Sequence, residues 1–398
     1  MNDIDVYIEM LRASLSGKDN EHLFTSQINW HSLLKWGQEQ AIIGILWQGI
    51  NKIFGNTNLS NDEGKSPADI LYKPTDDDVM EWIEFINKIQ QQNTLLDKKA
   101  AWITKKFAAK GFVSCLLKGQ GNALYYPDPS LRMSGDIDIW IAYKDYIFPE
   151  KVLNDTCNDN KRIKNMSDNV NGIIRYCHSF TPGTKACYHH IEFPIGGDIE
   201  VEVHYRPSWM YNPINNRRLQ HYFKESAPTQ FKNITDKSFA IPTTEFNCIY
   251  QLTHIFKHLI SSGIGLRQII DYYYLLTNGD VANNDAMKKN IRKRINYFGL
   301  APIAGAMMWV LHEKLGLANE YMIYTPDEKR GKLLYREIVN GGNFGKYAEG
   351  GIPDTKQSLA HNIFTLKRTM SLITLFPSEC TWEPIFRAYH FFWRKAHK

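Results

Sequence analysis

Apolar residues near the start of the chain recur three and four positions apart, which is the spacing of an amphipathic helix. Two clear groups are Trp30, Leu33, Leu34 and Trp36, and then Ile42, Ile45 and Leu46. A polar stretch over residues 56–78 interrupts this pattern, which resumes near Val79 and continues to Gly111, a typical helix terminator. We therefore predict a helical region over residues 1–110.

The pattern changes after Phe112 to short runs of the strand type, rich in β-branched and aromatic residues. These runs are FVSCLLK (112–118), DIDIWIA (136–142), CYHHIEFPI (187–195) and DIEVEVHY (198–205). Gly196 and Gly197 separate the last two runs and predict a hairpin between them. We assign residues 111–240 to a core built on a mixed β-sheet.

Helical spacing returns near Pro242 and persists to the end of the chain. The candidate helices are TEFNCIYQLTHIFKHLI (244–260), LRQIIDYYYLL (266–276), APIAGAMMWVLHEKL (301–315), HNIFTLKRTMSLI (361–373) and PIFRAYHFFWRK (384–395). The Gly-rich stretch 340–354 is predicted to be a loop. The pattern as a whole predicts an α/β fold of the α+β type, whose mixed sheet is flanked by the N-terminal helices and by a C-terminal helical region, 241–398.

Composition narrows the class of protein without naming a partner. Apolar residues make up 43% and aromatic residues 13% of 398 residues, which argues for packed cores and against a disordered chain. The net charge of +5 comes from 47 basic and 42 acidic residues, so nucleic acid is a disfavoured but open partner. The six cysteines lack paired spacing. We expect a cytoplasmic protein with reduced thiols, no membrane segment and no cleaved leader.

Two aspartates stand one residue apart in the run DIDIWI. Alternation along a strand puts Asp136, Asp138 and Trp140 on one face, with the carboxylates about 7 Å apart at their Cα atoms. Two desolvated carboxylates repel each other, and a divalent cation such as magnesium removes that penalty. The alternative is a solvated pair at a strand edge, the commoner meaning of an isolated Asp-x-Asp.

A Gly-x-Gly turn precedes the aspartates. Lys118, Gly119, Gln120 and Gly121 follow the apolar run FVSCLL and open a predicted short helix, NALYY. Backbone N–H groups at such a strand-to-helix turn favour an anion such as phosphate. A plain turn explains the same residues equally well.

A third acidic element lies in DIEVEVHYRP. Alternation puts Glu200, Glu202 and His204 on one face of this strand. If the strand neighbours the one that carries Asp138, either glutamate can complete a three-carboxylate metal site. The alternative is a polar, solvent-facing side of an edge strand.

These segments resemble a known family. LKGQGNALYYPDPSLRMSGDIDIWI (117–141) is similar to the "LKG…Y-P…R…G-D-I-D" signature of the uncharacterised bacterial nucleotidyltransferases, which share the fold of DNA polymerase beta-like enzymes. EVEVHYRP (200–207) resembles the carboxylate-x-His-aromatic-Arg strand of that family. INWHSLLKWGQEQAIIGILW (28–47) and HIFKHLISSGIGLRQIIDYYYLL (254–276) resemble its helical segments more loosely.

The resemblance implies a reaction and a set of residues. Asp136 and Asp138 would bind magnesium or manganese that carries a nucleoside triphosphate, and Glu202 would be the third carboxylate. The enzyme would transfer a nucleoside monophosphate to an unidentified hydroxyl or amine of a small molecule or protein. A two-metal site would activate the acceptor and stabilise the leaving pyrophosphate.

The resemblance also implies which groups contact the nucleotide. Gly119 and Gly121 would offer backbone N–H groups, while Lys118 and Arg132 would offset the phosphate charge. The usual Gly-Ser pair of the superfamily is Lys118-Gly119 in this chain, so its serine contact is missing. Ser134, beside Gly135, is a substitute. His204 completes the candidate set.

Several other polar pairs carry weaker signals. His254 and His258 have the spacing of half a metal site, but a structural role is favoured because no acidic residue shares their face. Arg267 and Asp271 are predicted to form a helix ion pair or to line the nucleotide cleft. His189 and His190, next to Cys187, are expected to point to opposite faces of their strand.

Two further functions compete with the enzyme. One is a catalytically silent nucleotide-binding regulatory module, which the presence of all three carboxylates disfavours. The other is an enzyme that adds nucleotides to RNA ends, which needs a basic, aromatic channel. The segments KKNIRKRINYF (288–298) and FRAYHFFWRKAHK (386–398) have that composition, although charge runs on helices are usually solvated.

Overall fold

This computed structural model describes residues 3–16, 28–54, 74–148, 166–193, 199–347 and 359–397. Within these ranges, the predicted N-terminal region contains four helices. The helices are α1 (Asp3–Ser16), α2 (Trp30–Gln40), α3 (Ile43–Phe54) and α4 (Asp76–Ala108). Thr75 and Asp78 form a reciprocal capping box at the start of α4. Gly111, with a φ of 80°, turns the chain into the first strand, as the sequence predicts.

A four-stranded sheet follows. Its strands are β1 (Phe112–Leu116), β2 (Asp136–Tyr143), β3 (His190–Glu192) and β4 (Glu200–His204), in the spatial order β1-β2-β4-β3. β2 pairs antiparallel with β1 and parallel with β4, while β3 and β4 are antiparallel. The predicted mixed sheet is confirmed. The antiparallel pair β3 and β4 was also predicted, although its turn at Gly196 and Gly197 lies outside the described residues.

In the described parts of the connections between the strands there are three helices. They are α5 (Gln120–Ala123), α6 (Lys144–Ile147) and α7 (Met166–Phe180). The single turn of α5 lies within the predicted strand-to-helix connection after β1, and a 3-10 turn over Pro129–Leu131 leads on toward β2.

The rest of the described chain is helical. Its helices are α8 (Pro213–Lys232), α9 (Thr244–Ser261), α10 (Leu266–Asn278), α11 (Asp285–Tyr297), α12 (Ala301–Trp309), α13 (Glu328–Gly341), α14 (Leu359–Leu372) and α15 (Pro377–Ala396). A π-helical turn extends α12 to Lys314, and 3-10 turns form at Asn319–Tyr321 and Asn343–Gly345. Of the predicted loop 340–354, residues 348–354 lie outside the described chain, as do residues 56–73 of the predicted polar stretch.

The two faces of the sheet pack against different cores. Ile137, Ile139 and Ile141 of β2 join a smaller core with α4 and α7. Trp140, on the opposite face, packs against Phe231 of α8 and Phe246 of α9, with ring centroids 4.6 and 5.7 Å apart. This second, larger core unites residues of α1–α4 with residues of α8–α15. The acidic face of β2 is therefore the one that faces the C-terminal helices.

The overall class is the predicted mixed α/β fold, in which helices precede and follow the sheet along the chain. Among the described residues, no helix combines the length and the apolar character needed to cross a lipid bilayer. The division into regions 1–110, 111–240 and 241–398 stays a prediction.

Candidate active site

The two acidic strands are neighbours in the sheet. β2 and β4 pair in parallel, with Asp136 opposite Glu200 and Asp138 opposite Glu202. Residues that lie opposite each other in a parallel pair point their side chains to the same face. The condition set by the sequence, that the DIEVEVHY strand should lie beside the DIDIWI strand, is therefore met.

Asp138 is buried, with only 2% of its surface exposed. Lys118 Nζ lies 2.8 Å from its Oδ1, and Nε2 of His204 lies 2.9 Å from the same atom. Burial alone would raise the pKa of Asp138, but the positive charge of Lys118 and the hydrogen bond with His204 lower it. The second oxygen, Oδ2, is buried and has no hydrogen-bond partner among the described residues.

Glu202 lies beside Asp138 and is about one-third exposed, at 31% of its side-chain surface. Its Oε2 is 3.3 Å from His204 Nε2 and 3.8 Å from His190 Nδ1. Burial opposes ionisation of Glu202, but the hydrogen bond with His204 and the charges of His190 and Lys118 bring its pKa well below the usual value. Asp138, Glu202 and His204 each offer a ligand atom within 4.8 Å of the others. Glu200, two residues earlier, is exposed.

Asp136 has the opposite electrostatic situation. Repulsion from Asp138, followed by burial, raises the pKa of Asp136 despite the opposing charge of Lys118. The two aspartates of one strand therefore differ. Cations compensate the negative charge of Asp138, whereas the charge of Asp138 opposes ionisation of Asp136. Such an arrangement stores repulsion that a bound cation would relieve.

A narrow cleft lies between the two aspartates of β2 and the C-terminal helices. It encloses about 450 Å³ of empty space, counting the part open to solvent. The sheet and the chain between β1 and β2 contribute Lys118, Gly119, Asn122, Arg132, Asp136 and Asp138, and the helical side contributes Gln251, His254, Ile255, Arg267, Gln268, Asp271 and Phe344. Glu202 and His204 are not among the lining residues. A wider cavity near Tyr222 and Arg294 contains none of the strand carboxylates, so the narrow cleft is the candidate active site.

Comparison with known families gives the cleft a chemical context. A family described as "Uncharacterised nucleotidyltransferase" matches residues 26–316, which include all four strands and the helices that line most of the cleft. The chain belongs to this nucleotidyltransferase family. No curated protein and no solved structure matches the chain. The resemblance seen in the sequence is thus confirmed at the level of the family, and the chain is an enzyme of the transferase class.

The glycine turn of the nucleotidyltransferase has two unlike glycines. Gly119 lines the cleft with a φ of 55°, and a β-carbon there would lie 3.3 Å from the Asp136 carbonyl oxygen. Gly121 is buried within α5, and its N–H donates to the Lys118 carbonyl oxygen at 2.9 Å. The turn therefore keeps Gly119 close to the acids, whereas the structure does not support the expected phosphate contact from the Gly121 N–H.

Arg132 of the nucleotidyltransferase is committed to another residue. Its Nε and Nη2 donate to the two oxygens of Asp271 at 2.8 and 2.7 Å, and its Nη1 donates to the Ser134 hydroxyl at 2.7 Å. Burial opposes ionisation of Asp271, but Arg132 holds its pKa below the usual value. The expected helix ion pair between Arg267 and Asp271 was wrong, because Asp271 pairs across the fold instead. Neither Ser134 nor the exposed Gly135 lines the cleft.

Arg267 lines the cleft together with Arg132 but differs from it in its partners. Arg267 donates from Nη1 to the Met133 carbonyl oxygen at 2.9 Å, and its guanidinium lies 5.6 Å from the Phe344 ring centroid. Burial and then repulsion from Arg132 lower the pKa of Arg267. Within the described chain, no carboxylate lies within 4.0 Å of Arg267. The sequence left Arg267 undecided between an ion pair and the cleft, and the structure puts it in the cleft.

Three histidines lie side by side next to Glu202. The sequence predicts opposite directions for His189 and His190, but β3 begins only at His190, so strand alternation does not govern His189. His189 Nε2 and His190 Nδ1 are 2.9 Å apart, and together with His204 they offer ligand atoms within 4.8 Å of one another. The expected separation was therefore wrong. Cys187 belongs to neither metal-capable group found among the described residues.

A hydrogen bond from Trp209 argues against a metal ion on His189. Trp209 Nε1, which can only donate, donates to His189 Nδ1 at 3.1 Å. A neutral His189 therefore carries its proton on Nε2, the atom that faces His190 and Lys257. Burial and then the charge of Lys257 keep the pKa of His189 well below its usual value, so the neutral ring prevails. We assign His189 and His190 to a hydrogen-bonded pair in which His189 Nε2 donates to His190 Nδ1.

His254 and His258 do not form a metal site in the described chain. Their ring centroids are 4.4 Å apart on α9, and neither joins a group of three metal-capable side chains. His254 borders the cleft and is buried, and burial keeps its pKa well below the usual value. The structural role that the sequence favours fits this geometry.

Proposed function

We propose that this nucleotidyltransferase moves a nucleoside monophosphate from a nucleoside triphosphate to a hydroxyl or amine of a small molecule or protein, in a reaction that depends on magnesium or manganese. Asp136, Asp138 and Glu202 are the proposed metal ligands. The observation that carries the proposal is the parallel register, because it puts Glu202 opposite Asp138, which lines the cleft, on the same face of the sheet. We also infer membership of the DNA polymerase beta-like superfamily.

The donor set fits a hard divalent cation. Carboxylate oxygens are the ligands that magnesium prefers, usually together with substrate phosphates. Asp138 Oδ2 is buried without a partner in the described chain, and Asp136 is held against the charge of Asp138. When bound, the metal would supply positive charge to the phosphates and lower the pKa of the acceptor.

The remaining residues bind and orient. His204 Nε2 lies 2.9 Å from Asp138 and 3.3 Å from Glu202, so one imidazole fixes the spacing of two carboxylates. Lys118 and Arg267 give the cleft positive charge that would pair with the phosphates of the nucleotide. Because Arg132 is bound by Asp271, we assign Arg132 to holding the wall of the cleft.

Neither alternative gains support from the cleft. The basic segment 288–298 lies mostly on α11 and the segment 386–398 on α15, and no residue of either lines the described cleft. That arrangement disfavours an RNA channel through this site. A silent regulatory module would retain nucleotide binding without transfer, which an activity assay separates from the enzyme.

The test compares two glutamates of one strand. The purified wild type, Glu202→Gln and Glu200→Gln are each incubated with α-labelled nucleoside triphosphates, magnesium and cell extract, and the label is followed. Wild type and Glu200→Gln should label an acceptor, because the exposed Glu200 is outside the metal group. Glu202→Gln should not.

Nucleotide binding is measured in parallel by thermal unfolding with and without EDTA. At a hundred-fold excess over Kd, ligand should stabilise the fold by about 2.7 kcal/mol, and EDTA should remove that shift. A wild type that binds magnesium nucleotide but labels nothing with all four bases would support the regulatory module instead.

A further inference from the structure

One aromatic side chain completes the helical wall of the cleft. Phe344 lies in the 3-10 turn after α13 and has a φ of 57° and a ψ of 27°, which is the left-handed region. A residue with a β-carbon rarely adopts this conformation unless its surroundings impose it. Of the non-glycine residues with positive φ in the described chain, Phe344 alone lines the cleft.

The surroundings of the turn do impose this conformation. A β-carbon at Gly263 would lie 2.9 Å from Gly345 Cα, and one at Gly265 would lie 2.7 Å from Asn343 Cα. At Gly345 a β-carbon would overlap the carbonyl oxygen of Ser262. The turn and the α9–α10 junction therefore approach each other backbone to backbone, as only glycine permits.

A side-chain contact fixes the same turn from α10. Gln268 Nε2 donates to the Asn343 Oδ1 at 3.0 Å, and Gln268 also caps its own helix through Gly265. The helix that carries Arg267 thus also holds the position of Phe344. The contacts of the turn thus hold the left-handed conformation of Phe344, while its ring stays only half buried.

The ring of Phe344 lies among polar groups of the cleft. Its centroid is 4.9 Å from that of His258 and 5.6 Å from the Arg267 guanidinium. Lys118, Asp136 and Asp138 line the same cleft. An apolar π-face beside a guanidinium, in a cleft that also contains Lys118, suits a ligand with a flat ring joined to an anionic chain.

We propose that Phe344 is the residue on which the nucleobase of the bound nucleotide stacks. This inference rests on the proposed function, since it names the part of the same cleft that takes the base. Every nucleobase has a π-face, so stacking on one phenyl ring binds all four with modest preference. The competing role for Phe344 is to support Arg267, which would then act on the phosphates alone.

The left-handed conformation supplies a sharp variant. Phe344→Gly removes the ring and puts at that φ the residue that tolerates it best, so the fold should be as stable as the wild type or more stable. Phe344→Trp keeps an aromatic face. Tyr347→Ala is the matched control, because Tyr347 is an exposed aromatic residue of the same segment that does not line the cleft.

The experiment measures binding by calorimetry with magnesium, using ATP, the other three nucleoside triphosphates and inorganic tripolyphosphate. Phe344→Gly should weaken binding of each nucleotide by about 5- to 150-fold and leave tripolyphosphate unchanged. Phe344→Trp should bind nucleotide about as tightly as the wild type, and Tyr347→Ala should behave as wild type. Thermal unfolding of each variant confirms that its fold is intact.

Four outcomes would overturn the inference. Equal losses for nucleotide and tripolyphosphate in Phe344→Gly would assign Phe344 to supporting Arg267. An unchanged nucleotide affinity, or a wild type that binds tripolyphosphate as tightly as nucleotide, would show that the base gains nothing from the ring while leaving the proposed function standing. A wild type that binds no magnesium nucleotide would overturn the proposed function together with the inference.

Discussion

Asp136 and Asp138 are separated by one residue yet differ in what surrounds them. Lys118 and His204 contact Asp138, whereas the largest influence on the pKa of Asp136 is repulsion from Asp138 itself. Sequence alternation puts both on one face but treats them alike. The difference follows from Lys118 and His204, whose positions depend on the turn after β1 and on the neighbouring strand β4.

This difference predicts opposite effects of two similar substitutions. In EDTA, Asp136→Asn should stabilise the fold by about 0.5–2 kcal/mol, because it removes repulsion at a functional site. Asp138→Asn should destabilise it by about 3–5 kcal/mol, because it leaves the charge of Lys118 without its buried partner. Both variants should lose transfer activity. Thermal and urea unfolding of the metal-free proteins measure the two shifts, and shifts of the same sign would contradict this account.

The two arginines of the cleft wall should also separate by experiment. Arg132→Ala leaves the buried Asp271 uncompensated and should lower the free energy of unfolding by about 3–5 kcal/mol. Arg267→Ala should cost little stability but weaken binding of magnesium triphosphate by about 1–3 kcal/mol. Urea unfolding and calorimetry give the two quantities. If Arg132→Ala proves stable and loses nucleotide, then Arg132 is the phosphate ligand, as the sequence suggested.

At the scale of elements, α15 packs against the segment that leads into β3. Phe386 stacks on Trp209 with ring centroids 4.1 Å apart, and Trp393 joins the core beneath the sheet. His390 Nε2 accepts a hydrogen bond from the Tyr188 N–H at 3.0 Å. The sequence indicates a helix here but gives no sign of where it packs, because that depends on contacts about two hundred residues away in the chain.

This docking predicts a dependence of stability on pH. Burial, and then the charge of Arg394, lowers the pKa of His390 to about 4. In the unfolded chain a histidine titrates near 6.5, so between these values the unfolded state binds a proton that the folded state does not. The contribution of His390 to stability is therefore present above about pH 6.5 and is lost as the pH falls toward 4.

His390→Gln tests the sign. Glutamine can accept the same hydrogen bond and does not titrate, so the variant should lose less stability than the wild type between pH 6.5 and 4. Urea unfolding at a series of pH values measures the difference, in which the contributions of the other buried histidines cancel. Parallel curves for the two proteins would rule out this role of His390.

At the scale of the whole molecule, the larger core joins the two ends of the described chain. Residues of α1 and α3 share it with residues of α13 and α15. The family match ends at residue 316, but Leu334, Ile338 and Phe376, which follow it, are fully buried in this core. The segment after the match is thus part of the same packing unit in the described structure.

A truncation tests this view of the core. A chain ending at residue 316 should lack cooperative thermal unfolding and bind no nucleotide, because it exposes the apolar faces of α12 and α9 and loses Phe344. Near-UV circular dichroism and calorimetry compare it with the full chain. A cooperative, well-folded truncated protein would show instead that the match is a domain by itself.

The sequence alone determined the features that depend on local geometry. Strand alternation is fixed by backbone stereochemistry, so the shared face of Asp136, Asp138 and Trp140 could be predicted, as could that of Glu202 and His204. Helical periodicity gave the flanking helices in the same way, and together these patterns predicted the mixed fold. The family was identified from the resemblance of the segments 117–141 and 200–207 to its motifs. The cytoplasmic location and the acceptor stay predictions.

Tertiary structure decided every pairing between distant residues. The parallel register singled out Glu202 beside Asp138 and left Glu200 in solvent. Asp271 pairs with Arg132 rather than with its helix neighbour, and Phe344 reaches the cleft only because glycines let two backbones touch. Such contacts depend on how elements pack in space, which spacing along the chain does not encode.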